Sequence, residues 1–275
     1  MDGISVRKAG VDDLEAIAEI SRLTWEGDDY LEGAAAEWIE DGTLYAGLWE
    51  GRVAGTFRIS PMPCGVLWME ALRIHADLRG RGLGKQLAGS AFLIGTGMIQ
   101  SGKGSCLEFS TYFGNRESIH ISMAQGFEVV NRFLLIYSEG IDAGTGTAAP
   151  LSPGEVVFSE VTGHIPCGWK YPRACGPGMS WALENCEAWG FRGVGFLRRK
   201  GSDEATPVFG SREDPEAFLE GVEAAASCRG ESRACIVLHE SRTDLMDAAR
   251  GRGYTTWEPA DEYNVMVFRY SPGGV

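Results

Sequence analysis

The stretch DLRGRGLGKQLAGSAF sets Arg79, Gly80, Arg81, Gly82, Leu83, Gly84 and Lys85 at the mouth of a helical pattern. Glycines at 80, 82 and 84 remove side chains where a ligand must come close to the backbone. The first amides of a helix have no intrahelical acceptor, and the helix dipole adds positive potential there. Arg79, Arg81 and Lys85 add charge of the same sign. Together these features suit the oxygens of a pyrophosphate. Two other phosphate loops are excluded. The nucleoside-triphosphate loop needs Ser or Thr after Gly-Lys, and here Gln86 follows Lys85. The dinucleotide fingerprint needs Gly-x-Gly-x-x-Gly, whereas the run is Gly80-x-Gly82-x-Gly84. A plain glycine turn that only starts a helix would leave the arginines without a role.

The elements that must position this stretch follow from local patterning. Residues 5–9 read as a strand. Asp12 or Asp13 caps a helix with Leu14, Ile17, Ala18 and Leu23 on one face. Residues 25–30 form a polar break and residues 32–40 a second short helix. TLYAGLWEGRVAGTFRIS alternates around Glu50-Gly51, the signature of a hairpin. Residues 66–74 are an apolar strand, which feeds the glycine stretch and a helix over about 84–100. A strand over 105–111, a helix over 115–125 ending at Gly126, and two short strands within 128–138 complete the first half. EGIDAGTGTAAPLSPGE lacks periodicity and reads as a linker. Beyond it, Asp214 caps a helix with Pro215 at its first position. A strand ACIVLHE, a helix ending at RGRGY, and two strands, around Trp257 and over 265–270, repeat the order that closes the first half. We read a divergent internal repeat whose second copy has FGSREDPEAF where the first has its glycines and arginines.

The chain of 275 residues is 44% hydrophobic, enough for one large domain or two small ones. Its formal net charge of -13 repels phosphate backbones and anionic membrane surfaces, so neither nucleic acid nor lipid is an expected partner. Charges or glycines interrupt every apolar run, and MDGISVRKAG has no apolar signal core, which points to the cytoplasm. Seven cysteines without a CxxC pair are expected as free thiols. His164, Cys167, Cys175 and Cys186 gather in one stretch, but their spacing is not that of a zinc site, and no metal is expected.

With these residues in place, the first half resembles the GCN5-related N-acetyltransferase (GNAT) superfamily. RGRGLG is similar to its Arg/Gln-x-x-Gly-x-Gly/Ala signature, LWMEALRIHADL to the strand before it, and NRESIHISMAQGF to a later Asn-x-x-Ala…Gly-Phe element. The resemblance implies an α/β (α+β) fold with a mixed, mostly antiparallel sheet flanked by helices. The expected domains are 1–140 (catalytic), 141–154 (linker) and 155–275 (a degenerate GNAT-like copy without the cradle). It implies acetyl-CoA as acyl donor. Backbone groups of Leu72, Arg73 and Ile74 would hold the pantetheine and thioester, the amides of residues 79–85 the pyrophosphate, and Asn115 the pantetheine arm. Glu70 is the candidate base for the attacking amine, or simply a polar residue on a half-exposed strand. Ser122 stands where the family often has an acidic Tyr. Tyr112 or His120 could substitute, or the thiolate could leave unassisted.

Trp25, Asp29 and Tyr30 fall where the family covers its acceptor, and two acids with aromatics suit an amino-bearing ligand. Leu31 and Trp38 are expected to pack. This stretch and the tandem second half have a weaker similarity to histidine N-acetyltransferase-like tandem members. Three functions are carried forward: acetyl transfer to a small amine such as an amino acid, acetylation of a protein N-terminus or lysine, and non-catalytic sensing of acyl-CoA.

Overall fold

The computed structural model describes residues 3–141, 146–257 and 263–273. In chain order the elements are β1 (Ser5–Lys8), α1 (Leu14–Arg22), α2 (Leu31–Glu40), β2 (Leu44–Trp49), β3 (Arg52–Met62), β4 (Val66–Ile74), α3 (Leu83–Gln100), β5 (Cys106–Tyr112), α4 (Arg116–Ala124) and β6 (Glu128–Glu139). There follow β7 (Ala149–Pro150), α5 (Gly176–Asn185), β8 (Cys186–Phe191), β9 (Val194–Arg199), β10 (Glu204–Phe209), α6 (Pro215–Cys228), β11 (Arg233–His239), α7 (Thr243–Gly251) and β12 (Val265–Tyr270). The chain forms two compact units. One comprises residues 1–109, 120–128 and 269–275, the other residues 110–119 and 129–268.

In the first unit the strands run in the order β1-β2-β3-β4-β5. All neighbours are antiparallel except β4 and β5, which are parallel and joined by α3. Helix α3 buries Leu83, Leu87, Ala91 and Gly95, one residue per turn along a single stripe. The sheet accepts this stripe because it offers glycines. A Cβ at Gly47 would stand 2.7 Å from Leu87 Cδ1, and one at Gly55 would stand 2.9 Å from Leu87 Cδ2. Gly55 is tighter still on its other side, where a Cβ would meet the Arg73 carbonyl oxygen at 2.4 Å. These two glycines seat the start of α3 against the sheet. Helices α1 and α2 bury Ile17, Leu31, Ala35 and Trp38 against Leu44, Ala46 and Ala71, so Leu31 and Trp38 are packing residues. Asp13 accepts hydrogen bonds from the Gly10 N–H and from Arg7. The Arg7 guanidinium holds its carboxyl below the usual range. The last described residues complete this unit: the Tyr270 ring lies 4.9 Å from Phe92 and 5.8 Å from Phe127, and Arg269 pairs with the fully buried Glu108 at 2.6 Å.

In the second unit the order is β12-β6-β11-β10-β9-β8-β7. An antiparallel pair β9–β10, a crossover helix α6 and a parallel strand β11 repeat the order β3–β4, α3 and β5. Helix α6 starts as the sequence predicts, with the Asp214 carboxylate accepting the Ala217 N–H at 2.9 Å and Pro215 in the first turn. Three local expectations are corrected. Residues 128–139 form one long strand, whose residues 133–139 pair with β11, because no Gly or Pro interrupts EVVNRFLLIYSE. Within the expected linker, residues 149–150 form β7 on β8, while residues 142–145 lie outside the described residues. Around Trp257 there is no strand among the described residues; only Thr255 bridges to Tyr137, and residues 258–262 lie outside them. Cys106, Cys167, Cys186, Cys228 and Cys235 are not in disulfides, whereas Cys64 and Cys175 are each disulfide-bonded, against the expectation of thiols throughout. No helix among the described residues is long and apolar enough to cross a membrane.

Candidate active site

Strand β4 carries the site because it is bulged. Thr56 faces Arg73 while Arg58 faces Glu70, so three steps of β4 oppose two of β3. Ala71 takes up the extra residue in the left-handed region, at φ 55°. The pairing of β4 with β5 stops at Trp68↔Glu108, and β4 runs on to Ile74. The bulge thus falls where β4 has left its parallel neighbour.

Glu70 lies at the bulge with its side chain 9% exposed, hydrogen-bonded to Arg58 Nη1 at 2.9 Å. Arg58 also donates to Asp41 at 2.9 Å and to Thr43 Oγ1 at 2.7 Å, and its guanidinium lies 4.3 Å from the Trp38 ring centroid. The Asp41 carboxyl is held down by Thr43 and Arg58 against the opposing effect of burial. An arginine inside the apolar strand TFRIS is the sequence signal for this network. Sequence reasoning passed over it because Arg58 lies outside every motif.

The expected acceptor residues gather around Arg73. The Asp29 side chain is fully buried and receives Arg73 Nε at 3.0 Å and Nη2 at 3.3 Å. The same guanidinium lies 4.3 Å from the ring of Trp25, which is 55% exposed, and 5.8 Å from that of Tyr30. Asp29 is therefore committed to Arg73 and not open to a cationic ligand. The third arm of Arg73 donates to the Leu72 carbonyl. Trp25 and Glu26 hold positive φ angles of 47° and 59°, a tight turn that swings the loop onto the strand. Tyr30 stands edge-on to Trp38, and burial of its hydroxyl, reinforced by the Glu70 charge, pushes its pKa up to about 12. The phenol is neutral at physiological pH and available as a hydrogen-bond donor.

The glycine stretch forms the expected cradle at the head of α3. Gly80 and Gly82 have φ angles of 77° and 76°, and a Cβ on either would meet no protein atom within 4 Å. Their conformation requires glycine, and open space lies in front of them. Gly82 is the N-cap and has no side chain to satisfy the first turn, whose first intrahelical bond runs from the Gln86 N–H to the Gly82 carbonyl at 3.2 Å. Gly84 is helical and ordinary. The Arg79 amide is engaged with the Ala76 carbonyl, and its side chain ties the loop to the Ile74 carbonyl at 3.3 Å. Arg79 thus shapes the cradle by its side chain, not by its amide as the sequence suggested. Arg81 lies 5.2 Å from the Trp49 ring centroid, and Lys85 is exposed. The residues present fit a diphosphate: a helix start without a side-chain cap, a left-handed glycine pair, and the cationic Arg81 and Lys85 in the same stretch.

Ser122 belongs to the first unit and is buried in α4, where its carbonyl accepts the N–H groups of Gln125 and Phe127. His120 is exposed. Tyr112 and Asn115 belong to the second unit. There the Tyr112 ring stands edge-on to Phe113 at 4.7 Å, and Asn115 donates to Thr111 Oγ1 at 3.0 Å. Among the described residues no group of His, Cys, Asp or Glu is arranged to hold a metal ion.

The clamp predicts a split in kinetics. Arg73→Gln leaves Asp29 buried without its guanidinium and frees the loop from β4. The apparent KM of a substrate seated against this loop is expected to rise about tenfold or more, with that of a substrate held in the glycine cradle within about twofold. Steady-state kinetics varying each substrate in turn checks this.

Residues 14–120 match the model of the acetyltransferase (GNAT) family. No curated protein matches the chain. Among solved structures, a Thermoplasma acidophilum protein described as a candidate acetyltransferase is 19% identical, with a TM-score of 0.64, covering 98% of this chain and 100% of its own. A GCN5-related N-acetyltransferase from Sphaerobacter thermophilus is 15% identical at a TM-score of 0.63, over 98% of this chain and 95% of its own. A tandem GNAT protein from the clavulanic acid biosynthesis pathway is 11% identical at a TM-score of 0.60, over 99% of both. At these identities the structures speak for the fold alone. Residues 14–120, less than half of the chain, with their bulged strand and glycine cradle, are thus similar to the GNAT acetyltransferase family.

Proposed function

We propose that the protein transfers an acetyl group from acetyl-CoA to the primary amine of a small molecule, with an amino acid as the leading acceptor class. The observation that carries this reading is the bulge: it sets Glu70 one residue before Ala71, beside residues 72–74, where β4 has left β5, and upstream of the cradle. Acetyl-CoA supplies an activated thioester. The cradle, from Gly80 to Lys85, holds the pyrophosphate, and the β4 backbone holds the thioester arm. Glu70, kept in place by Arg58, takes the proton that the amine loses, directly or through a water. The neutral Tyr30 phenol, desolvated beside Glu70, orients the acceptor by a hydrogen bond. Ser122 is buried and a weak acid, so the coenzyme thiolate leaves without a strong donor there, which a thiol allows near neutral pH. Residues 1–140 would be the catalytic domain and residues 155–275 a degenerate copy.

The experiment is release of coenzyme A thiol from acetyl-CoA against single amino acids, polyamines and a basic peptide. Release with an amino acid is expected. Release with the peptide alone moves the assignment to protein acetylation. No release with any amine, while acetyl-CoA raises the melting temperature, overturns the enzyme reading in favour of a sensor.

A further inference from the structure

The second unit repeats the order of the first, yet the link from β10 to α6 is built differently from the link between β4 and α3. It runs Gly210, Ser211, Arg212, Glu213, Asp214, and Gly210 keeps a positive φ of 77°. All the groups an oxyanion would use at this link converge on one carboxylate. Glu160 Oε1 accepts the Arg212 N–H at 2.9 Å. Glu160 Oε2 accepts the Ser211 hydroxyl and, at 3.0 Å, Arg242 Nη1. Arg242 Nη1 also donates to Ser211 Oγ at 2.8 Å, while its other arms bind Asp244 at 3.0 and 2.7 Å. The side chains of Glu160 and Arg242 are 4% and 1% exposed. Glu160 is held there by its own N–H, which donates to the Val208 carbonyl of β10 at 3.1 Å. The α6 terminus is closed as well, by Asp214.

We propose that the second unit keeps an oxyanion pocket where the first has its glycine cradle, and that the chain fills it with its own carboxylate, Glu160. A backbone amide, a hydroxyl and a guanidinium around one buried anion reproduce the donor set of a phosphate site. With that place taken from inside, the second unit has no room for a coenzyme diphosphate. The consequence, one coenzyme per chain, rests on the function proposed above; the pocket itself is testable without coenzyme.

The test is anion rescue. Glu160→Ala vacates the carboxylate and leaves the Arg212 amide, Ser211 and Arg242 around the space. Its melting temperature is expected to fall, and sodium acetate at about 50 mM to restore at least about 3 °C over sodium chloride of equal ionic strength, saturably. Wild type should respond equally to the two salts. Equal responses in Glu160→Ala overturn the proposal. If that variant is unfolded at 25 °C, the same comparison is made on refolding yield, where acetate must outperform chloride. Glu160→Ala/Arg242→Met removes the guanidinium and should lose the acetate response; an undiminished response places the anion elsewhere and overturns the assignment. Calorimetric titration of wild type should give one coenzyme A per chain, and two would also overturn it.

Discussion

Glu70→Gln is expected to lower kcat for amine acetylation by about a hundredfold or more while leaving acetyl-CoA affinity within about twofold. The substitution keeps shape and hydrogen-bonding capacity but removes the carboxylate proposed to take the proton at the bulge. Arg58 retains Asp41 and Thr43 as partners, so the network around it persists and the protein stays folded. A hundredfold loss corresponds to about 3 kcal/mol of transition-state stabilisation, the range of a positioned general base. The cradle lies beyond Ile74 and its amides do not involve Glu70, so binding should survive. Thiol release under saturating amine gives kcat, and titration calorimetry gives coenzyme affinity. A loss of threefold or less would remove Glu70 from the chemistry and return it to a structural partner of Arg58. Loss of binding together with turnover would mean that the bulge itself had collapsed.

The cradle was legible because glycine at 80 and 82 leaves a local mark: positive φ is demanded there, and the helical pattern starts at once. Strand β4, α3 and the Asp214-Pro215 start of α6 are marked in the same local way. What surrounds the cradle was not legible. The bulge at Ala71 is written in no turn residue; it arises from the pairing of β3 with β4, and an alanine gives no warning of a left-handed backbone. Their types mark Trp25, Asp29 and Tyr30 as acceptor-binding residues, but the cation they surround is the guanidinium of Arg73, distant in sequence. The same holds for Gly55, whose necessity depends on a carbonyl of the next strand. The division into units was also hidden. Residues 269–273 pack Tyr270 among Phe92 and Phe127 of the first unit, a match no local pattern records. Long-range partners decide these features, and composition names the parts without pairing them.

Glu204 gives the second unit a pH dependence opposite to that of its paired carboxylates. It opens β10, and burial, aided by neighbouring Asp203, pushes its pKa up to about 7 from the ordinary 4.5. Its Oε2 has no hydrogen-bond partner among the described residues, and its charge would in turn disfavour ionisation of Cys167, Tyr171 and Cys235. Arg199 and Arg233 only partly offset the cost. The folded state therefore holds this proton more tightly than the unfolded chain does. The sign follows: its contribution to stability is fully present below pH 4.5 and is lost as pH rises through about 7. The difference amounts to about 3 kcal/mol. Asp244, held down by its hydrogen bond to Arg242, works the other way and loses its contribution as pH falls, so the net profile of wild type is blunted. Glu204→Gln isolates the buried carboxyl, since the amide keeps the shape and stays neutral at every pH. The variant should match wild type near pH 4.5 and exceed it by about 3 kcal/mol at pH 8 in urea unfolding. Parallel profiles for the two proteins across that window would mean that Glu204 is ionised in the fold and that Arg199 and Arg233 fully compensate its burial.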